Sequence, residues 1–364
     1  MTFNWQNPYP TTRIPLFARN VVSTSHPIAA QAGVRILLAG GNAVDAAIAA
    51  AAALTVVEPV SCGLGSDAFA LVWDGQQLHG LNASGHAPTA WDLNHFRKRY
   101  GEDGQGHAKR PVRGWDAVTI PGAVAGWAAL HERFGKLPFA DVLEPAAEIA
   151  ERGITLAPIV AHKWAAAIPA LHDQPGFADT FMPGGRAPKT GEKFVFKDAA
   201  RTLRILGRQG GRAFYEGEIA EAIVDYARQT GGSLTLEDLR GYQPQWVKPI
   251  SQRYRGHEVH EIPPNGQGIA ALIALGILEH FDLASLPVDS AQSQHLQIEA
   301  MKLAFADVYR YVADPSSMEV TPEQMLDPAY LASRARLIDP AKSTHPEHGM
   351  PRSGGTVYLS TADE

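Results

Sequence analysis

The sequence predicts a mixed α+β fold. Three observations carry that expectation. An apolar stretch at 43–57 lies between helix signals, with Asn42 before it and Pro59 after it. Two β-prone runs, 69–73 and 77–81, flank Asp74-Gly75, a dipeptide that favours the tight turn of a hairpin. Between 292 and 312 the apolar residues Leu296, Met301, Phe305, Val308 and Val312 keep helical spacing, and Asp314-Pro315 stops them.

Taken in order, 27–38 reads as a helix with proline at its first position, ended by Gly40-Gly41. In the next helix seven alanines fall between 46 and 53, so little side-chain bulk projects from any face. Such a helix admits close backbone neighbours all round and belongs in the interior. The glycine-rich segment 61–67 (SCGLGSD) leads into the first strand of the expected hairpin. Helices are expected at 127–134, 141–152 and 218–229, the last stopped by Gly231-Gly232, with Thr235 capping a short helical turn. Residues 254–262 read as one strand ending in the turn Pro263-Pro264-Asn265-Gly266. From 339 to 355 no periodicity survives, which predicts a surface loop or linker, and 356–361 is again β-prone. Trp115, Trp127 and Trp164 are widely spaced, as core residues would be.

Composition narrows the function. The 364 residues are 45% hydrophobic and 19% charged, enough for a large core or two domains. A net charge of -6 offers no basic field for a phosphate backbone, so no nucleic acid is expected as a partner. A small-molecule or short-peptide partner fits better. The apolar run at 46–57 falls short of the roughly 20 residues that span a membrane. The opening MTFNWQNPY has neither the basic start nor the apolar core of a secretory signal, which points to a cytoplasmic protein. One cysteine, Cys62, leaves no intrachain disulfide and no cysteine-based metal site.

No cofactor is expected. Gly63-Leu64-Gly65 lacks the third glycine of a dinucleotide fingerprint and precedes a strand rather than a helix. There is no G-x-S-x-G elbow. No metal is expected at His345 and His348, which share a proline-containing loop without a third ligand, or at His257 and His260, which a strand would place on opposite faces. Glu58 and Asp67 read as a helix-end carboxylate and a turn residue.

The chemistry concentrates at Gly354-Gly355-Thr356. A threonine hydroxyl is a poor nucleophile unless a base takes its proton, and a threonine at the start of a chain has its own α-amine for that task. The amine exists only after the preceding peptide bond is cut. Two glycines permit a strained, closely approached bond, and Thr356 could attack the Gly355 carbonyl to release itself. Read locally, the same tripeptide is also an ordinary junction between loop and strand.

Longer blocks resemble the gamma-glutamyltransferase family. The stretch 26–59 (HPIAAQAGVRILLAGGNAVDAAIAAAAALTVVEP) is similar to the opening of that family's large subunits. So are 63–72 (GLGSDAFALV), 120–126 (IPGAVAG), 231–241 (GGSLTLEDLRG) and 299–307 (EAMKLAFAD), in family order. The family precursor cuts itself before a threonine in a T-x-x-x-S setting, matched here by Thr356 and Ser360. The resemblance implies the αββα sandwich of N-terminal-nucleophile hydrolases, with most of the small subunit absent. It implies a large-subunit region at 1–355 and the start of a small catalytic subunit at 356–364. It further implies cleavage between Gly355 and Thr356, an acyl-enzyme on Thr356, and acyl transfer to water or an amine.

Two departures from the family pattern matter. Members specific for γ-glutamyl groups hold the substrate α-carboxylate with an arginine a few residues before an Ala-Pro pair, a natural bidentate partnership. In the corresponding stretch, 82–88 (NASGHAP), that position is Ser84, and His86 is the nearest candidate donor. The family's Pro-Pro-Pro-Ser-Ser-Gly turn is altered to Pro263-Pro264-Asn265-Gly266-Gln267-Gly268. Both changes resemble the acylase-like branch, so Ser84 and His86 are candidate substrate-binding residues and glutathione is not the expected preference. The family's oxyanion-hole glycines and the residues gripping the substrate α-amine lie downstream of the position matching Glu364. A chain limited to these residues is therefore expected to be inactive alone and to need a small-subunit polypeptide. The rival expectation is a noncatalytic binding or assembly module, or a remnant, whose unpaired sheet edge requires a partner chain.

Overall fold

The computed structural model describes residues 17–351. In chain order these form α1 (Pro27–Leu38), α2 (Ala43–Val57), β1 (Ala68–Trp73), β2 (Leu78–Ala83), α3 (Leu93–Tyr100), α4 (Ala123–Phe134) and α5 (Phe139–Arg152). Next come β3 (Ile154–Thr155), α6 (Pro158–Leu171), α7 (Phe177–Phe181), β4 (Lys193–Phe194), α8 (Lys197–Gln209), α9 (Glu218–Thr230) and α10 (Leu236–Gly241). The rest is β5 (Gln245–Val247), β6 (Ile250–Tyr254), β7 (His257–Glu261), α11 (Ile269–Leu278), α12 (Ala291–Tyr311), α13 (Pro322–Met325) and α14 (Pro328–Ala335). They divide into two compact units, one of 17–69 and 82–245, the other of 70–81 and the described part of the chain from 246 onward.

The first unit is mainly helical, and its centre is α2. Asn42 and Asp45 form a reciprocal capping box, with Asn42 N–H donating to Asp45 (3.1 Å) and Asp45 N–H to the Asn42 side chain (2.9 Å). Asp45 is fully buried and also accepts from the amides of Lys136 (3.1 Å) and Leu137 (3.2 Å). The carboxylate that starts α2 therefore also ties down the link between α4 and α5. As expected, the alanines let helices crowd α2. It packs on α1, α4 and α5, and Ala46, Ala49, Ala50, Ala52 and Ala53 are all buried. α5 in turn packs on α8. Trp127 and Trp164 are core residues, while Trp115 is half-buried and donates to the Thr230 hydroxyl (2.8 Å).

The second unit holds the hairpin predicted at Asp74-Gly75. Asp74 accepts from the amides of Gln76 and Gln77 (both 2.8 Å) and contacts His79 Nε2 (2.7 Å), which fixes the turn between β1 and β2. β5 extends this sheet in the order β1-β2-β5. The single strand expected at 254–262 is instead the second half of a hairpin. β6 and β7 pair antiparallel, Ile250 opposite Glu261 and Tyr254 opposite His257. Arg255 and Gly256 turn the chain between them with φ of 49° and 79°, the left-handed pair that a two-residue hairpin requires. An arginine in the first of those positions is a weak signal in sequence.

α11, α12 and α14 form the core of this unit through Ile269, Ile273, Ile277, Leu296, Leu303 and Leu331. α12 matches the predicted 292–312 within a residue at each end. Its buried face differs: Glu299 and Asp307 are inside, whereas Met301 is 37% exposed. Among the described residues no helix is long and apolar enough to cross a membrane.

Candidate active site

Gly355 and Thr356, the expected cleavage pair, and Ser360 lie outside the described residues. The substrate-binding candidates and the segment approaching Gly355 lie within them.

Ser84 is half-buried and His86 exposed, on a loop leaving β2. The loop is held at several points. Ser84 N–H donates to Asn82 Oδ1 (3.0 Å) and Ile120 N–H donates to the His86 carbonyl (2.9 Å). Gly85 has φ of 87°, and a Cβ there would run into the Ile120 carbonyl, so only glycine fits. Further along, Thr89 donates from its amide (2.9 Å) and its hydroxyl to Asp238 in α10. Burial would raise the Asp238 carboxyl, but hydrogen bonds from Thr89 and Thr235 outweigh it and hold the group below the usual range. The imidazole of His86 stands edge-on to Tyr242, centroids 5.3 Å apart, and its Nε2 lies 3.4 Å from Gln245 Nε2. Tyr242 and Gln245 escaped the sequence reading because each is a lone residue far from residue 86, with no spacing to mark it.

Two more of the resemblance-bearing blocks meet this loop. The Ser66 carbonyl accepts from the amides of Gly122 (3.0 Å) and Ala123 (2.9 Å), joining the glycine turn to the start of α4. A side chain at Gly122 would strike the Ala83 carbonyl and approach the Tyr242 hydroxyl to 2.8 Å. Tyr215 receives the Ala125 amide (3.0 Å) and donates to the Pro121 carbonyl (2.6 Å). Burial raises the Tyr242 phenol; the Gly85 N–H works against that and the Asp67 charge adds to it, so the hydroxyl stays protonated. Burial also pushes the Cys62 thiol up to about 11, which leaves it a poor nucleophile. Glu58 accepts from the Ser25 hydroxyl (2.8 Å) at the end of α2, and Asp67 is an exposed turn residue.

In the other unit, the described part of the stretch from Asp339 is the mostly exposed loop expected from its composition, and it is bonded to α12. Thr344 donates to Glu299 Oε2 through its amide (3.2 Å) and hydroxyl (2.6 Å), and the Ser343 hydroxyl donates to Oε1 (3.0 Å). Lys302 pairs with Glu299 (2.7 Å) and donates to the Thr344 carbonyl. Five residues on, Gly349 N–H donates to Asp307 Oδ1 (2.7 Å) and its carbonyl accepts from Tyr311 (2.7 Å). Asp307 also takes the Tyr330 hydroxyl (2.9 Å) and Arg334 (3.1 Å), and Arg334 donates to the Glu347 carbonyl (2.8 Å). His348 lies edge-on to Tyr311. Burial opposes ionisation of Glu299, yet donors from Lys302, Thr344 and Ser343 hold it down to about 2, whereas burial dominates at Asp307 and raises it. The signal was present in sequence: Glu299, Leu303 and Asp307 recur at four-residue spacing, putting two carboxylates on an apolar helix face.

Residues 29–364 match the profile of the gamma-glutamyltranspeptidase family. The chain belongs to that family. The gamma-glutamyltranspeptidase of Helicobacter pylori superposes with a TM-score of 0.84 at 30% identity, covering 91% of this chain and 95% of that one. The cephalosporin acylase of Bacillus halodurans is more similar, at a TM-score of 0.88 and 46% identity over 96% of this chain, but only 65% of the acylase is covered. The glutathione hydrolase-like YwrD proenzyme of Bacillus subtilis is 35% identical over 348 residues, 95% of this chain and 64% of the relative. The chain thus spans just under two thirds of the length of these last two family members. The fold is α+β, of the N-terminal-nucleophile hydrolase class that the resemblance implied.

Proposed function

We propose that this chain is the large-subunit region, 1–355, and the opening of the small subunit, 356–364, of a self-processing enzyme that cleaves an acyl amide. The observation that carries the reading is the family match, which runs to residue 364 and so includes Gly355, Thr356 and Ser360. Thr356 Oγ attacks the Gly355 carbonyl, the C–N bond breaks as the amine takes a proton, and the resulting ester is hydrolysed. The products are a Gly355 carboxylate and a free Thr356 α-amine. In the mature enzyme that amine accepts the Oγ proton as Oγ attacks a substrate amide, and the leaving amine takes the proton. Water or an acceptor amine then removes the acyl group.

The substrate reading rests on the loop at 84–89. Ser84 stands where the γ-glutamyl-specific pattern has arginine, and the loop is pinned by Gly85, Thr89 and the Ile120 amide, so Ser84 is presented on a rigid frame. A serine cannot form the bidentate ion pair with an α-carboxylate. His86 and Gln245 offer single hydrogen-bond donors instead. We therefore expect the full-length enzyme to cleave glutaryl or simple acyl anilides better than γ-glutamyl anilides; the reverse preference would sink the substrate reading.

Self-processing is tested by the intact mass of the protein from its own cells. A fragment beginning at Thr356 and running past Glu364 supports the enzyme. A single species of 39.2 kDa would favour the noncatalytic assembly module. A chain ending at Glu364 should show no turnover, since the oxyanion-stabilising donors that commonly supply the largest share of rate enhancement would be missing.

A further inference from the structure

We infer that the recess between α6, α7 and the end of α2 is a binding site for a small molecule carrying one unfused aromatic ring. The site is independent of the acyl-amide reading, since none of its walls belongs to the loop at 84–89. α6 carries an apolar stripe at Val160, Trp164, Ala167 and Leu171, positions that a helix stacks on one face. Val160 and Trp164 are buried. Ala167 and Leu171 are half-buried and face a recess shared with Phe177 and Phe181, the two rings of the five-residue α7, and with Val60 just beyond α2. Alanine stands at 167 where the neighbours on the stripe are tryptophan and leucine, so the wall steps back there.

Size and lining select the occupant. The recess holds about 100 Å³. An apolar cavity of roughly 150 Å³ takes up benzene, so a single six-membered ring fits and a fused pair does not. A substituent on that ring reaches solvent past Leu171 and Phe177, which are half-buried. The lining side chains offer no free polar group, because Trp164 Nε1 already donates to the Phe181 carbonyl (2.8 Å). A confined water needs about two to four polar partners and finds none among these side chains.

The walls favour an aromatic ring over an aliphatic one. Phe181 has ring neighbours at centroid distances of 5.4 Å (Phe177), 5.7 Å (Phe196) and 5.8 Å (Trp164). All lie in the range where tilted and edge contacts between rings are favourable. Phe177 has Phe181 as its single ring neighbour among the described residues, so a ring entering the recess extends the series at Phe177.

The test uses the full-length protein as its gene encodes it, with 4-fluorobenzyl alcohol as the probe, followed by fluorine NMR. Binding is expected with a Kd of about 1 mM or tighter. Benzyl alcohol should displace the probe about fivefold more effectively than cyclohexylmethanol, which has the same skeleton without the π-system. Ala167→Leu fills the recess and should weaken the probe about tenfold or more, while the thermal midpoint without probe stays unchanged or rises. Phe177→Leu, at the half-buried mouth, keeps the wall apolar and removes the ring. It should weaken the probe about fivefold and leave cyclohexylmethanol unaffected. No binding to the wild-type protein at about ten times the expected Kd would overturn the inference. So would undiminished binding in a folded Ala167→Leu or Phe177→Leu protein, which would place the probe elsewhere, or equal displacement by the two alcohols. None of these outcomes bears on cleavage before Thr356.

Discussion

At the scale of single residues, the site is shaped by what cannot be enlarged or ionised. Gly85 and Gly122 face carbonyl oxygens of Ile120 and Ala83 at distances no Cβ tolerates. Gly122→Ala should therefore cost at least about 2 kcal/mol, visible as a lower denaturant midpoint with unchanged slope. Cys62 is the converse case, a nucleophile disarmed by burial. With its thiol pushed up to about 11, alkylation by iodoacetamide at pH 8 should run roughly a hundredfold slower than for a free cysteine. An ordinary rate would show the thiol to be exposed. Ser84 carries the specificity argument. Ser84→Arg should raise turnover of a γ-glutamyl anilide relative to a carboxylate-free acyl anilide by about tenfold or more, because it supplies the missing ion pair. Ser84 and His86 became candidates from the sequence because they interrupt a pattern, and the Ser84→Arg measurement is what tests them. Tyr242 and Gln245 were not, since only folding brings them to His86.

At the scale of elements, the legible parts were those whose ends are written in capping chemistry. Asn42 starts α2 and Thr235 starts α10, both as expected, and the structure adds a reciprocal partner to each, Asp45 and Asp238. Asp45 does more than cap, taking amides from Lys136 and Leu137; Asp45→Ala should cost roughly 3 kcal/mol or more by orphaning buried donors, measured by equilibrium unfolding. The helices that went unread are informative. α11 (IAALIALGIL) is apolar all round and shows no face, so periodicity could not find it. α12 was found, but its apolar spacing hid the two carboxylates. These make an acid-sensitive clasp. Glu299, held down to about 2, supports the native state fully above the ordinary glutamate value near 4.3 and loses that contribution as pH falls towards about 2. Asp307 is raised and acts in the opposite sense, contributing at low pH and losing it as pH rises. The Thr344 amide reports on Glu299 alone: its hydrogen-exchange protection should hold above pH 4.3 and fall between there and pH 2. Protection that is flat across that range would contradict the assignment.

At the scale of the molecule, the sequence offered no sign that the fold is built of two interleaved units. The divisions at 69/70 and 81/82 fall inside β1 and β2 rather than in a linker rich in proline or glycine, and a linear reading looks for linkers. This interleaving has a consequence in time. Residues 70–81 leave the ribosome long before 246–247, which supply the β5 edge of their sheet. At 5–20 residues per second, that wait is roughly 10–30 s. For that interval β2 has β1 on one edge and lacks β5 on the other, and an unpaired strand edge is open to pairing with other chains. Nascent chains stalled with residue 245 just outside the ribosome should show 82–245 resisting protease while 70–81 is cut. The birth of the protein therefore has a vulnerable half-minute, and conditions that slow translation between residues 82 and 246 should lower the yield of folded chain more than equal slowing elsewhere.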